Sequence, residues 1–62
     1  MLSELHDAVG KNNIQLVQSL IQQNVDINLA VAADGATPLY LAAEKGYLDI
    51  AKLLIENGAD VN

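Results

Sequence analysis

Residues 34–62 read DGATPLYLAAEKGYLDIAKLLIENGADVN, and a fainter copy of the same pattern occupies the chain before them. Sliding the sequence by 34 positions pairs Leu5 with Leu39, Ala8 with Ala42, Lys11 with Lys45, Leu20 with Leu54, Ile21 with Ile55, Asp26 with Asp60 and Asn28 with Asn62, 7 identities over 28 aligned positions. Conservative pairs extend the match: Ile14 with Leu48, Leu16 with Ile50, Ile27 with Val61. A period in the thirties marks a stacked repeat, in which each unit buries its apolar face against a neighbour. The chain therefore divides into residues 1–28 and 29–62.

Within the second copy, Thr37 is suited to cap a helix and Pro38 to open it, where a missing N–H costs nothing. Leu39, Ala42 and Ala43 recur at i, i+3 and i+4, the stripe of an amphipathic helix. Gly46 stops it by accepting a left-handed backbone conformation. A second helix carries Ala51, Leu54 and Ile55 on one stripe and ends at Gly58. In the first copy Ser3 stands in the place of Thr37, and Asn12 and Asn24 replace Gly46 and Gly58; asparagine is the next best residue for a left-handed position. These signals predict helices over 4–11, 14–23, 38–45 and 48–57, with each neighbouring pair packed antiparallel.

The second copy closely resembles an ankyrin repeat, from D-G through T-P-L and L-A-A to G-A-D-V-N. It departs at Tyr40, where that family usually has histidine, and in a link from Asn28 to Asp34 one residue longer than usual. The first copy resembles the same unit more loosely. The resemblance implies an all-α repeat, an ankyrin-like solenoid fragment whose two helix pairs are joined by a β-hairpin-like loop. It also implies a protein-binding module that meets its partner along hairpin tips and the first helix of each pair. On this sequence that surface comprises Ala33, Asp34 and Ala36 at the hairpin, Glu44 and Lys45 at the end of the first helix, and Lys11 at the matching position of repeat 1.

The differences between the copies assign their faces. Asp7 and Ser19 occupy the positions of Leu41 and Leu53, so repeat 1 is polar where repeat 2 is apolar, as expected of an N-terminal capping repeat whose outer face meets water. Leu41, Ile50 and Leu53 are then expected to pack back onto repeat 1. Positions apolar in both copies should face onward along the stack, which leaves Ala42, Leu48 and Ile55 as an open stacking end. Two repeats are fewer than a solenoid usually needs. The expectation is the amino-terminal part of a longer array, with homo-oligomerisation through the open end as the alternative. Leu29-Ala30-Val31-Ala32-Ala33 adds an apolar run in the link, read equally as a contact surface or as cover for the helix layer.

Composition restricts the remaining functions. Eight acidic residues against three lysines give a net charge of −5 with no arginine, a poor surface for a phosphate backbone. Nucleic acid is not an expected partner. No apolar run is long enough for a membrane span, and Met1-Leu2-Ser3-Glu4 lacks the basic start of a secretion signal, so a cytoplasmic setting is expected. With no cysteine, a zinc site would need three carboxylates beside the sole histidine, His6. His6 is read instead as a helix-start hydrogen-bond partner of Ser3.

No enzymatic activity and no cofactor are expected. Ser3 and Ser19 have no nearby base, and the four glycines are spaced as turn markers rather than as a phosphate loop. Asp49, Lys52 and Glu56 have the spacing of ion pairs on a solvated helix face. Asp26 and Asp60, with their neighbouring asparagines, are read as partners of backbone groups in turns.

Overall fold

The computed structural model of the chain describes residues 4–30 and 35–60. Four helices follow in order: α1 (Glu4–Gly10), α2 (Ile14–Gln22), α3 (Pro38–Lys45) and α4 (Leu48–Glu56). No strand occurs among the described residues, and the fold is an all-α repeat. Of the hairpin-like segment expected over 25–35, residues 25–30 and 35 form turns and irregular backbone and residues 31–34 lie outside the described residues, as do Ser3, Val61 and Asn62. Shifted by 34, α2 superposes on α4 in sequence and α1 on all but the last residue of α3.

Local chemistry sets the helix ends. Thr37 has extended backbone angles, and its hydroxyl oxygen accepts from Tyr40 N–H at 3.1 Å, with Pro38 opening α3 behind it. Asn13 caps α2 in the same way, accepting from Leu16 N–H at 3.2 Å. The stop signals also match between copies. Gly46 has φ 73° and Gly58 φ 98°, and the asparagines at the corresponding positions, Asn12 and Asn24, have φ 55° and 61°. Tyr47 N–H then reaches back to Ala42 O at 2.9 Å, and Asn13 N–H to Ala8 O at 3.0 Å. Both turns thus satisfy carbonyls that the helix end would leave open.

Packing runs pair within pair and pair upon pair. α1 lies against α2 and α3 against α4, while α1 also packs on α3 and α2 on α4, making two layers of helices. The Cα radius of gyration, 10.0 Å, is near the roughly 10.6 Å expected of a compact chain of this length.

Comparing burial at matched positions separates the three parts of the core. Ala8 and Ala42, like Leu20 and Leu54, are buried in both copies and fill the inside of each helix pair. Leu5, Val9 and Val17 are buried, but their counterparts Leu39, Ala43 and Ala51 are not, so these positions face forward, and only repeat 1 has a successor to cover them. Ile50 is fully buried while Leu16, its counterpart, is 38% exposed: this position faces backward onto repeat 1. Leu41 and Leu53 lie half-buried against the same core.

The left-handed turns yield a direct test. Asn24→Ala forces a β-carbon without a compensating polar group into φ 61° and should lower unfolding free energy by about 1 kcal/mol, whereas Asn24→Gly should be neutral or stabilising. Urea titrations of the two variants followed by circular dichroism give the comparison.

Candidate functional site

Two surfaces carry the expected site residues. On the first, Lys11, Glu44 and Lys45 are exposed at the C-terminal ends of α1 and α3. Lys11 Nζ lies 3.0 Å from Asp7 Oδ2, one helical turn earlier, and at more than half exposure this pair adds little stability. Ala33 and Asp34 lie outside the described residues.

Ala36 does not belong to that surface. Its side chain is 6% exposed, and its carbonyl oxygen is 2.8 Å from His6 Nε2. The residue sits at the seam between the repeats, where packing rather than solvent surrounds it. A carbonyl can only accept, so Nε2 carries a proton and donates in this contact. His6, itself fully buried, thus spans 30 residues to tie α1 to the start of repeat 2. This is the partner that the local reading of His6 with Ser3 did not foresee.

A second polar tie closes the other end of the seam. Asn28 Oδ1 accepts from Asp60 N–H at 2.7 Å and its Nδ2 lies 3.5 Å from Gly58 O. Asp26 Oδ1 accepts from Asn28 N–H at 3.1 Å, which fixes the turn that aims the asparagine. The expected turn role is therefore present at Asp26, and Asn28 additionally joins the two repeats.

The second surface is the forward face of repeat 2. An open groove of about 600 Å³ is lined by Leu39, Tyr40, Ala43, Ala51 and Ile55, with Thr37, Asn28 and Asp60 at its margin. Tyr40 is 57% and Ile55 47% exposed; Leu48, two turns before Ile55 on α4 and outside the groove lining, is 76% exposed. Leu48 and Ile55 thus stand at the surface, but Ala42 does not: it is fully buried inside the α3–α4 pair. Being apolar in both copies could not separate a residue that fills its own pair from one that faces the next. Leu39, Ala43 and Ala51 were missed for the same reason, although the larger residues matching two of them, Val9 and Val17, were visible in the first copy, and Tyr40 was missed because its counterpart is the histidine His6.

The charged row on α4 also differs from expectation. Asp49, Lys52 and Glu56 are exposed, and among the described residues the ion pair formed is Asp7–Lys11. Side chains held only by high-dielectric attraction keep their rotamer freedom. Among the described residues no group of His, Asp or Glu could hold a metal ion, and no helix is long and apolar enough to cross a membrane.

A seam closed by a buried imidazole, and a forward face whose residues match a buried one 34 positions earlier, describe a unit made to be stacked. Residues 3–62 match the family model for ankyrin repeats in three copies. The chain belongs to the ankyrin repeat family. It is 44% identical over 59 residues to human protein phosphatase 1 regulatory subunit 27, covering 95% of this chain and 38% of that protein. To the putative ankyrin repeat protein FPV240 of fowlpox virus it is 40% identical over 60 residues, covering 97% of this chain and 15% of that protein. To palmitoyltransferase AKR1 of Lachancea kluyveri it is 42% identical over 59 residues, covering 95% of this chain and 8% of that protein. The chain thus spans well under half the length of each of these relatives. Ankyrin repeats are generally protein–protein interaction modules.

The seam predicts unequal roles for two residues at matching positions. His6→Ala removes a buried ring and its bond to Ala36 and should lower unfolding free energy by about 2–4 kcal/mol, while Tyr40→Ala, at the exposed counterpart, should cost less than about 0.5 kcal/mol. Denaturation midpoints of the two variants measure the difference.

Proposed function

We propose that this chain is part of a longer ankyrin array that binds a partner protein, and that a further helix pair covers the groove of repeat 2. One observation carries the reading. Leu39, Tyr40, Ala43, Ala51 and Ile55 match Leu5, His6, Val9, Val17 and Ile21, the face that α3 and α4 cover in repeat 1. An apolar face of this kind left in water is expensive, and the same architecture covers it once already.

Repeat 1 serves as the capping end. Its outer surface carries exposed Glu4, Asp7, Gln15, Gln18, Ser19 and Gln22, which gain nothing from burial against a preceding repeat. Partner contact runs through Lys11, Glu44 and Lys45 together with the link at Ala33 and Asp34. Lys11, Glu44 and Lys45 stand exposed at helix ends and are free to differ without disturbing the core. The role is non-enzymatic, without a cofactor, in a cytoplasmic setting.

Exposed Leu48 and Ile55 favour one second reading, self-association through the open end. The polar outer face of repeat 1 opposes head-to-tail addition, so copies would close as a two-fold dimer rather than propagate. Sedimentation of the chain distinguishes the two: a concentration-independent monomer mass excludes the dimer.

Appending a further copy of residues 29–62 after Asn62 tests the array reading. Covering Leu48 and Ile55 should raise unfolding free energy by about 3 kcal/mol or more, and Ile55→Glu should remove most of the gain. An unchanged urea midpoint would overturn the reading. For partner contact, Glu44→Lys with Lys45→Glu should weaken binding at least about tenfold with helicity intact, while Asp49→Lys on α4 should leave it within about twofold.

A further inference from the structure

Asn57 is followed by Gly58, and among asparagines within the described residues it alone precedes a glycine: Asn12, Asn13, Asn24 and Asn28 precede Asn13, Ile14, Val25 and Leu29. A glycine leaves its own backbone nitrogen open to approach the preceding side chain. No heavy atom outside the immediate chain neighbours lies within 4 Å of where a β-carbon on Gly58 would stand. Three features of the α4 terminus nevertheless hold that nitrogen away. Asn57 has ψ 19°, which turns the Gly58 nitrogen towards the nitrogen of Asn57 and away from its Cβ. The Gly58 N–H donates to Ile55 O at 3.1 Å. The Asn57 side-chain amide is occupied as well, Nδ2 donating to Leu53 O at 2.8 Å.

We propose that Asn57–Gly58 is a spontaneous deamidation site gated by the C-terminal turn of α4. When the turn opens, the Gly58 amide nitrogen gives its proton to hydroxide and attacks Asn57 Cγ. The new C–N bond forms, Nδ2 takes a proton from water and regenerates hydroxide, the Cγ–Nδ2 bond breaks, ammonia leaves, and a five-membered succinimide remains. Water then adds to one of its two carbonyls, giving aspartate or β-linked isoaspartate with no change of oxidation state. When the turn is closed, the ring cannot form, because nucleophile and carbonyl carbon are held apart and the N–H is engaged.

The product disturbs the end of α4. A carboxylate replaces the donor to Leu53 O at the end of a helix whose carbonyls already gather negative partial charge, and α4 has no basic residue in its last turn. Asn57 lines a shallow depression between α2 and α4 with Gln18, Ile21, Gln22 and Leu53, so the new charge falls beside the seam. The modification accumulates where the packing of α4 is loosened.

The test is incubation of the chain in mildly alkaline buffer, with and without concentrated urea, followed by peptide mass mapping. Deamidation should appear first at Asn57 and run at least about tenfold slower without urea. Ile50→Val, which loosens the packing of α4 without touching the site, should raise the rate without urea about two- to tenfold and leave the urea rate unchanged. Sucrose, which favours the compact state, should slow it. Equal rates with and without urea, no response to Ile50→Val and sucrose, or earlier modification of another asparagine would each overturn the proposal.

Discussion

Covering one helix pair with the next is the constraint on which the structure depends. Leu5, Val9 and Val17 are buried because α3 and α4 lie over them, not because α1 and α2 enclose them. In a chain of this size, with no disulfide to constrain the unfolded state, that interface decides whether a fold exists. Its two margins are closed by polar ties that reach across the repeat: His6 to Ala36 at one end, Asn28 to Asp60 at the other. Both bring together residues about 30 positions apart, so the hydrophobic face supplies the attraction and the bonds fix the register.

Much of this was legible in the residues. Helix ends follow from local chemistry, and so Thr37, Pro38, Gly46 and the asparagines standing in for glycine marked them to within a residue or two. Which side chains meet across the seam is not local. Ala42 was placed at the open end because an alignment of two copies shows where residues agree, not what lies opposite them, and Ala36 was placed on the contact surface by resemblance to the family, which does not show what packs on it here. Position 42 is apolar in both copies since each pair must fill its own centre, and Ala36 is covered by a ring that comes from 30 residues away. The α4 charges had the right spacing for ion pairs, but spacing only permits an exposed pair; it does not make one stable.

The two outer faces of the stack differ in kind. One is mostly polar, with Glu4, Asp7, glutamines and a serine around Leu16; the other presents Leu39, Tyr40, Leu48 and Ile55. An ankyrin array built on this chain therefore has a direction. Exposed Lys11, Glu44 and Lys45 stand at the ends of the first helices, where a change of charge leaves the buried seam untouched.

The one-sidedness of the seam has a consequence for how the chain comes off the ribosome. Repeat 1 is complete when Asn28 is added, yet its forward face has nothing to rest on until α4 arrives some 34 residues behind α2. At typical synthesis rates that is a wait of about 2–7 s, far longer than helices and loops take to form. Through that interval a nascent chain displays Leu5, Val9, Val17 and Ile21 together. Until α4 closes over it, that apolar surface is the part of the growing polypeptide most open to chance contact with other chains.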